Sequence, residues 1–266
     1  MNKKNIFLIS AIVLFFTISF CLALLETNFT SPTEIDGSLI ERTNILMNIS
    51  IQGENLKNLS LQFNNSYYNL YDESLVLMMN FDNVSSLGEN DTNVVDVSQS
   101  GNNGTVSGAI WNSSGKYGGA YQFDDNSINL GTLNPLPNGI GTISVWAKVN
   151  NMDQTKSNYL VTKGNDAIEG SWGVEIGTQT DCNRVCFLYN FIWPNGQWVC
   201  TPCESISEGW HHIVAVAKND STQQVYIDGI IKSSGTFSVF TPESFMDSIL
   251  EKQQEMHPIP IILMVQ

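Results

Sequence analysis

Four of the five cysteines fall in one short stretch, Cys182, Cys186, Cys200 and Cys203, and bracket a turn signal at Pro194-Asn195-Gly196. Thiols at this spacing either ligate one zinc ion as a tetrahedral thiolate set or pair into two disulfides. The start of the chain favours pairing. Lys3 and Lys4 precede an apolar run over residues 6–20, with small residues around Ala23, which is the layout of a secretory signal. An exported chain meets an oxidising compartment, where close cysteines form disulfides. Three pairings are possible, and sequence alone does not choose among them. A nested arrangement, 186 with 200 and 182 with 203, is the expectation, because both bridges could then cross one antiparallel ladder.

Other chemistry-bearing residues are more dispersed. His211 and His212 look like a zinc or catalytic pair, but adjacent strand residues point to opposite faces, so no shared metal geometry follows. Trp193 and Trp198 flank the Pro194-Asn195-Gly196 turn at a hairpin tip, where an exposed aromatic could stack on a sugar; they are the candidate ligand-binding residues. Trp146, Trp172 and Trp210 lie in β-patterned segments and are expected in the core.

The elements that must position these residues are strands. Residues 209–217 (GWHHIVAVA) and 225–229 (VYIDG) are rich in β-branched side chains and flank a polar connection over residues 218–224, the pattern of a hairpin. Upstream lie residues 118–124 (GGAYQFD), 142–148 (TISVWAK) and 172–176 (WGVEI), each patterned as one strand of a single sandwich. Residues 74–82 (SLVLMMNFD) form a long apolar strand ending in an acid. Val95-Asp96-Val97-Ser98 and the Gly101-Asn102-Asn103-Gly104-Thr105 turn follow it. In this order the motifs resemble the laminin-G-like, concanavalin-A-like jelly-roll family, over residues 74–241.

The resemblance implies an all-β fold, an antiparallel jelly-roll β-sandwich, and a binding or adhesion module rather than an enzyme. Its ligand would be a polysaccharide, a glycoprotein or a cell-surface protein. In such relatives, acids and carbonyls of the loops can hold a structural Ca²⁺, a hard cation that takes six to eight oxygen ligands. Asp82, Asp96 and Asp124 are the corresponding metal candidates, with turn capping as their alternative role. Glycoside hydrolases of this fold set paired carboxylates along one inner strand, about 5 Å apart. Glu34-Ile35-Asp36 has the acids but stands in a turn signal outside the sandwich. No catalytic residue is assigned. A glycoside hydrolase or lyase with dispersed acids, and a structural surface-layer component, are the alternatives.

Composition agrees with an extracellular β protein. A formal charge of -14, with 12 basic and 26 acidic residues, argues against nucleic acid as a partner. Nine Asn-X-Ser/Thr sequons, Asn28, Asn48, Asn58, Asn64, Asn83, Asn90, Asn103, Asn112 and Asn219, support a secreted or cell-surface glycoprotein. Any membrane contact would come only through the N-terminal segment, with residues 1–25 acting as a cleaved signal peptide or an anchor. Residues 26–73 read as a small β-rich stalk or Ig-like segment, and residues 74–241 as an incomplete jelly roll.

Residues 242–266 depart from this texture. Their composition turns helix-like and ends in an apolar run with Pro258 and Pro260. The expectation is a tail translated out of frame. It should form a short exposed helix over residues 243–255 and stay unpaired with residues 75–81, leaving a gap in the sandwich where the last strand would lie.

Overall fold

The computed structural model describes residues 26–31, 33, 48–52, 56–63, 65–124, 126–131, 133, 140–150, 158–163, 171–177, 182–191, 197–219, 221–236, 248–250 and 259–265. The chain divides into two compact units, Met1–Tyr68 and Asn69–Gln266. In the first, β1 (Glu26–Thr30) pairs antiparallel with β2 (Asn48–Gln52). β3 (Leu59–Phe63) and β4 (Ser66–Tyr71) make a second two-stranded sheet, joined through Asn65 in the left-handed region (φ 62°), and β4 runs across the division.

The second unit is built from short strands followed by long ones. In chain order come β5 (Leu77–Met78), β6 (Asn93–Val94), β7 (Gly104–Ser107), β8 (Ile110–Asn112), β9 (Ala120–Phe123) and β10 (Ser127–Asn129). The longer set is β11 (Gly141–Val149), β12 (Asn158–Lys163), β13 (Ser171–Ile176), β14 (Val185–Phe191), β15 (Gln197–Cys200), β16 (Gly209–Ala217), β17 (Thr222–Ile227) and β18 (Ile230–Thr236). β19 (Ser248–Leu250) and β20 (Ile259–Val265) complete it. One sheet has the order β15-β14-β13-β12-β19-β10-β7-β6; the other has β18-β17-β16-β11-β20-β9-β8, with β5 on β20. No α-helix occurs among the described residues. This is the antiparallel all-β sandwich expected from the sequence.

Alternation places the core. Ile143, Val145, Ala147 and Val149 of β11 and Ile213, Ala215 and Ala217 of β16 are buried. They meet Trp172, Val174, Ile176, Val185 and Phe187 from the other sheet in one apolar cluster. Residues 75–81 supply Leu75, Leu77, Met79 and Phe81 to the interior, also in alternation. Only Leu77–Met78 is a strand, which shortens the run expected there. Side chains and a loop take the other backbone groups. Asp96 Oδ1 accepts from Met78 N–H at 2.8 Å, Val97 N–H donates to the Met78 carbonyl at 2.8 Å, and Asn102 Nδ2 donates to the Val76 carbonyl at 2.8 Å.

The tail does not behave as expected. β20 lies between β11 and β9 and pairs with both, and Met264↔Met78 and Val265↔Leu77 join it to β5. The expected gap is therefore filled by residues 259–265. The physical reason is visible in Ile-Pro-Ile-Ile-Leu-Met-Val, an apolar, β-branched run that suits a central strand. Pro260 sits ahead of Ile261↔Ala147, where β9 alone is the partner and no bond to β11 is required. Ser248–Leu250 is a strand between β12 and β10 rather than part of a helix. The remainder of the helix expected over residues 243–255 lies outside the described residues.

Candidate functional site

β11 and β16 are nine-residue antiparallel partners, and Trp146 stands directly opposite His212. Since the odd-numbered residues of β11 face the core, Ser144, Trp146 and Lys148 belong to the opposite face of the sheet. The same alternation puts Trp210 and His212 of β16 on that face, beside Lys148 and Trp146. Cross-strand pairs of this kind are close enough for ring contact. The imidazole of His212 stacks on the Trp146 indole with centroids 5.1 Å apart and planes 17° from parallel. Its Nε2 hydrogen-bonds Ser144 Oγ at 2.8 Å. Burial pushes the His212 pKa below its ordinary value, against an opposing pull from Asp228.

A loop over residues 113–119, between β8 and β9, completes the cluster. Its base is fixed by Asp82, whose Oδ1 accepts from Gly119 N–H at 2.9 Å. Gly118 (φ 90°) passes so close to that carboxylate that a Cβ there would lie 2.1 Å from Oδ1. Gly115 N–H donates to the Gly118 carbonyl at 2.8 Å and closes the turn. Lys116 and Tyr117 are thereby carried over Trp146. The Tyr117 ring is perpendicular to the indole (centroids 5.4 Å, 87°) and 56% exposed. Lys116 Nζ lies 4.9 Å from the centroid of Trp146 and 5.9 Å from that of Tyr117. The result is an exposed aromatic ring with an ammonium, an imidazole and a hydroxyl beside it.

At the end of β16 a second group has distances that resemble a nucleophile-base-acid relay. Asp228 Oδ2 is 2.7 Å from His211 Nδ1, and His211 Nε2 is 3.3 Å from Ser207 Oγ. The same Nε2 also lies 3.1 Å from the Ser207 carbonyl oxygen, and the Ser207 hydroxyl donates to the Glu208 carbonyl at 3.4 Å. Asp228 Oδ1 accepts from His212 N–H at 2.9 Å, and Asp228 itself holds φ 52° in the turn before β18. Partial burial works to raise the Asp228 pKa. The bonds from His212 N–H and His211 outweigh it and leave the pKa below the ordinary value. This group ties a turn to a strand.

The cysteines pair as Cys182–Cys203 and Cys186–Cys200, with Cα–Cα distances of 5.2 and 4.1 Å. Cys186 and Cys200 are directly opposed across β14 and β15, so the nested arrangement is the observed one. Trp198 is 47% exposed on β15, opposite Leu188, in the sheet that does not contain β11. Trp193 lies outside the described residues. Asp96 is buried and accepts four hydrogen bonds, from Met78 N–H, Ser98 N–H and Oγ–H, and Asn102 N–H. Asp82 holds the base of the 113–119 loop, and Asp124 is exposed, its carbonyl accepting from Asn126 Nδ2 at 2.6 Å. Among the described residues no three His, Cys, Asp or Glu side chains gather as a metal cluster.

Two tryptophans depart from the core role expected of them. Trp172 is buried, whereas Trp146 and Trp210 are only partly buried; Trp146 still packs against the core cluster from the outer side of its strand. The apolar set at 143, 145, 147 and 149 carried the signal, since it leaves 146 on the other face. Nothing local marked Lys116 and Tyr117, which reach Trp146 only through the fold.

Residues 118–249 match the profile of the Concanavalin A-like lectin/glucanases superfamily, in its laminin G branch. This stretch is a laminin-G-like domain. Solved structures agree on the fold of the domain. The binding domain of Paraclostridial Mosquitocidal Protein 1 is 16% identical with a TM-score of 0.56, covering 72% of this chain and 48% of that one. The Botulinum Neurotoxin Type G receptor binding domain is 16% identical with a TM-score of 0.52, over 72% and 47%. Domain 4 of AbnA, a GH43 extracellular arabinanase from Geobacillus stearothermophilus, was solved in complex with arabinotriose. It is 20% identical with a TM-score of 0.51, over 72% and 90%. The chain thus spans about half the length of the toxin domains it matches. No curated protein sequence matches it.

Proposed function

We propose that the laminin-G-like domain is an exported, non-catalytic binding module that holds a carbohydrate on the outer face of β11 and β16. The observation that carries this reading is Tyr117, an exposed ring braced against Trp146 with Lys116, His212 and Ser144 around it. Sugar rings present C–H faces that pack on aromatic rings, and their hydroxyls need donors and acceptors at the rim. Both are present within one patch. The two disulfides support an oxidising compartment and hence export. That domain 4 of AbnA was solved with arabinotriose, and that the toxin relatives are binding domains, supports the class of activity by likeness of fold.

The test is retention on immobilised polysaccharides and glycoproteins, with Tyr117→Ala and Trp146→Ala beside the unaltered chain. Retention without release of reducing ends, lost in Tyr117→Ala while its melting stays cooperative, is the expected result. Cleavage of the polysaccharide would overturn the non-catalytic reading. Retention unchanged in both variants would move the site elsewhere.

A further inference from the structure

This inference rests on the reading just given and names the class of saccharide. The chain carries 26 acidic and 12 basic residues, so a surface patch drawn at random should be acidic. The face around Trp146 is the reverse. The outward positions of β11, from Thr142 to Lys148, and of β16, from Trp210 to Val216, contain no Asp or Glu, and those of β17 are Thr222, Gln224 and Tyr226. Lys116 stands over Trp146, and Lys148 follows Trp146 by two residues on the same strand face, a spacing of about 7 Å along the strand.

Lys116 contacts two aromatic rings, and neither it nor Lys148 makes an ion pair with a described residue. Two carboxylates border this face, each held in place by hydrogen bonds that leave its charge intact. Asp82 accepts from Gly119 N–H at the loop base, and Asp228 is bound by His211 and His212 N–H at the end of β16. A face whose outward strand positions hold no acid, with two cations that make no ion pair with a described residue and with Asp82 and Asp228 only at its borders, is locally complementary to an anion.

We infer that the saccharide bound at Tyr117 and Trp146 is an anionic one, a polysaccharide whose carboxylate or sulfate groups meet Lys116 and Lys148 while its ring faces pack on the aromatics. Neutral chains would pack equally well and offer hydroxyl oxygens to the ammonium groups, but no charge to balance them. The long-range field of the acidic protein opposes approach of such a ligand, so binding depends on the local patch and weakens as salt screens it.

The experiment is affinity electrophoresis of the full chain in gels containing polygalacturonate, its methyl ester, chondroitin sulfate or a neutral arabinan, each at low and at high salt. Retardation by polygalacturonate, by chondroitin sulfate or by both, reduced by salt and absent with the methyl ester, is expected; chemically desulfated chondroitin run beside the sulfated chain separates carboxylate from sulfate. Lys116→Gln and Lys148→Gln should each weaken retardation several-fold, and Lys116→Arg should preserve it. Equal retardation by the acid and its methyl ester, or a preference for the neutral arabinan, overturns this inference and leaves the carbohydrate-binding reading standing. Retardation by none of the four, together with no retention on the broader panel, overturns both.

Discussion

The imidazole of His212 lies almost parallel to the indole of Trp146, one strand away and directly opposite it, with its Nε2 held by Ser144. Burial depresses the His212 pKa below its ordinary 6.5. The folded state therefore holds fewer protons than the unfolded chain just below that value, and stability falls as pH drops from 6.5 toward the folded pKa. Denaturant titrations across this range should show the fall, and His212→Gln should flatten it. An unchanged slope in the variant would mean that His212 does not set it. Protonation should also quench the fluorescence of Trp146 in the native protein, on the same titration.

Asp228 gives a second acid transition at lower pH. Its pKa is held below the ordinary 3.8 by the bonds from His212 N–H and His211, in spite of partial burial. A depressed carboxylate contributes stability above its unfolded pKa and loses it as pH falls through the folded value. Asp228→Asn should therefore lower stability at neutral pH and shift the midpoint of acid unfolding upward. A midpoint that does not move would remove Asp228 from the account.

Asp96 is predicted to organise the loop over residues 97–103 and the strand at Met78 together. Its two oxygens accept four hydrogen bonds, three from backbone N–H groups. Asp96→Ala strands these donors and should cost about 2–4 kcal/mol in chemical denaturation. A loss below about 1 kcal/mol, the worth of one ordinary hydrogen bond, would show that water replaces the carboxylate.

Gln223 offers a change of the opposite sign. Its side chain is fully buried on β17, and both its amide atoms lack a hydrogen-bond partner among the described residues. Gln223→Met keeps the length and removes two unsatisfied polar atoms, so it should stabilise by about 1–2 kcal/mol. A loss on denaturant titration would reveal a bond that Gln223 makes.

The two bridges should differ in access to reductant. Cys186 is fully buried, while Cys203 is exposed. Graded reduction followed by thiol counting should open Cys182–Cys203 first. Each bridge lost should cost roughly 2–4 kcal/mol. Simultaneous reduction of both would argue that the first cut unravels β14 and β15.

Much of this arrangement was legible before any coordinates. The strands at 142–148 and 209–217 were recognised, although their alternation was not followed far enough to keep Trp146 and Trp210 out of the core, and the spacing of Cys186 and Cys200 anticipated a cross-strand bridge between opposed positions. Asp96-Val97-Ser98 and the glycine-asparagine turn were recognisable as a family motif, although not as a set of four hydrogen bonds on one carboxylate. What stayed hidden is non-local. Lys116 and Tyr117 sit in a Ser-Ser-Gly-Lys-Tyr-Gly-Gly loop that reads as an ordinary turn, and only the tie to Asp82, 37 residues away, brings them over Trp146. The tail was misjudged for a related reason. Helix-like composition over residues 243–255 points one way, whereas the slot beside β11 and β5 is a property of the whole sheet, not of any window.

That slot has a kinetic consequence. In one sheet β19 is the sole described link between β15-β14-β13-β12 and β10-β7-β6; in the other, β20 links β18-β17-β16-β11 to β9-β8. The hairpins β13-β14-β15 and β16-β17-β18 close through short loops and can form early, but uniting the halves requires residue pairs such as Phe123 and Ile259 to meet across more than half the chain. Folding therefore waits on one late insertion in each sheet. Until it happens, the vacant positions are complementary to the same strands of a neighbouring copy, so strand exchange between molecules is the misassembly expected once protein concentration rivals the effective concentration of the tethered strand.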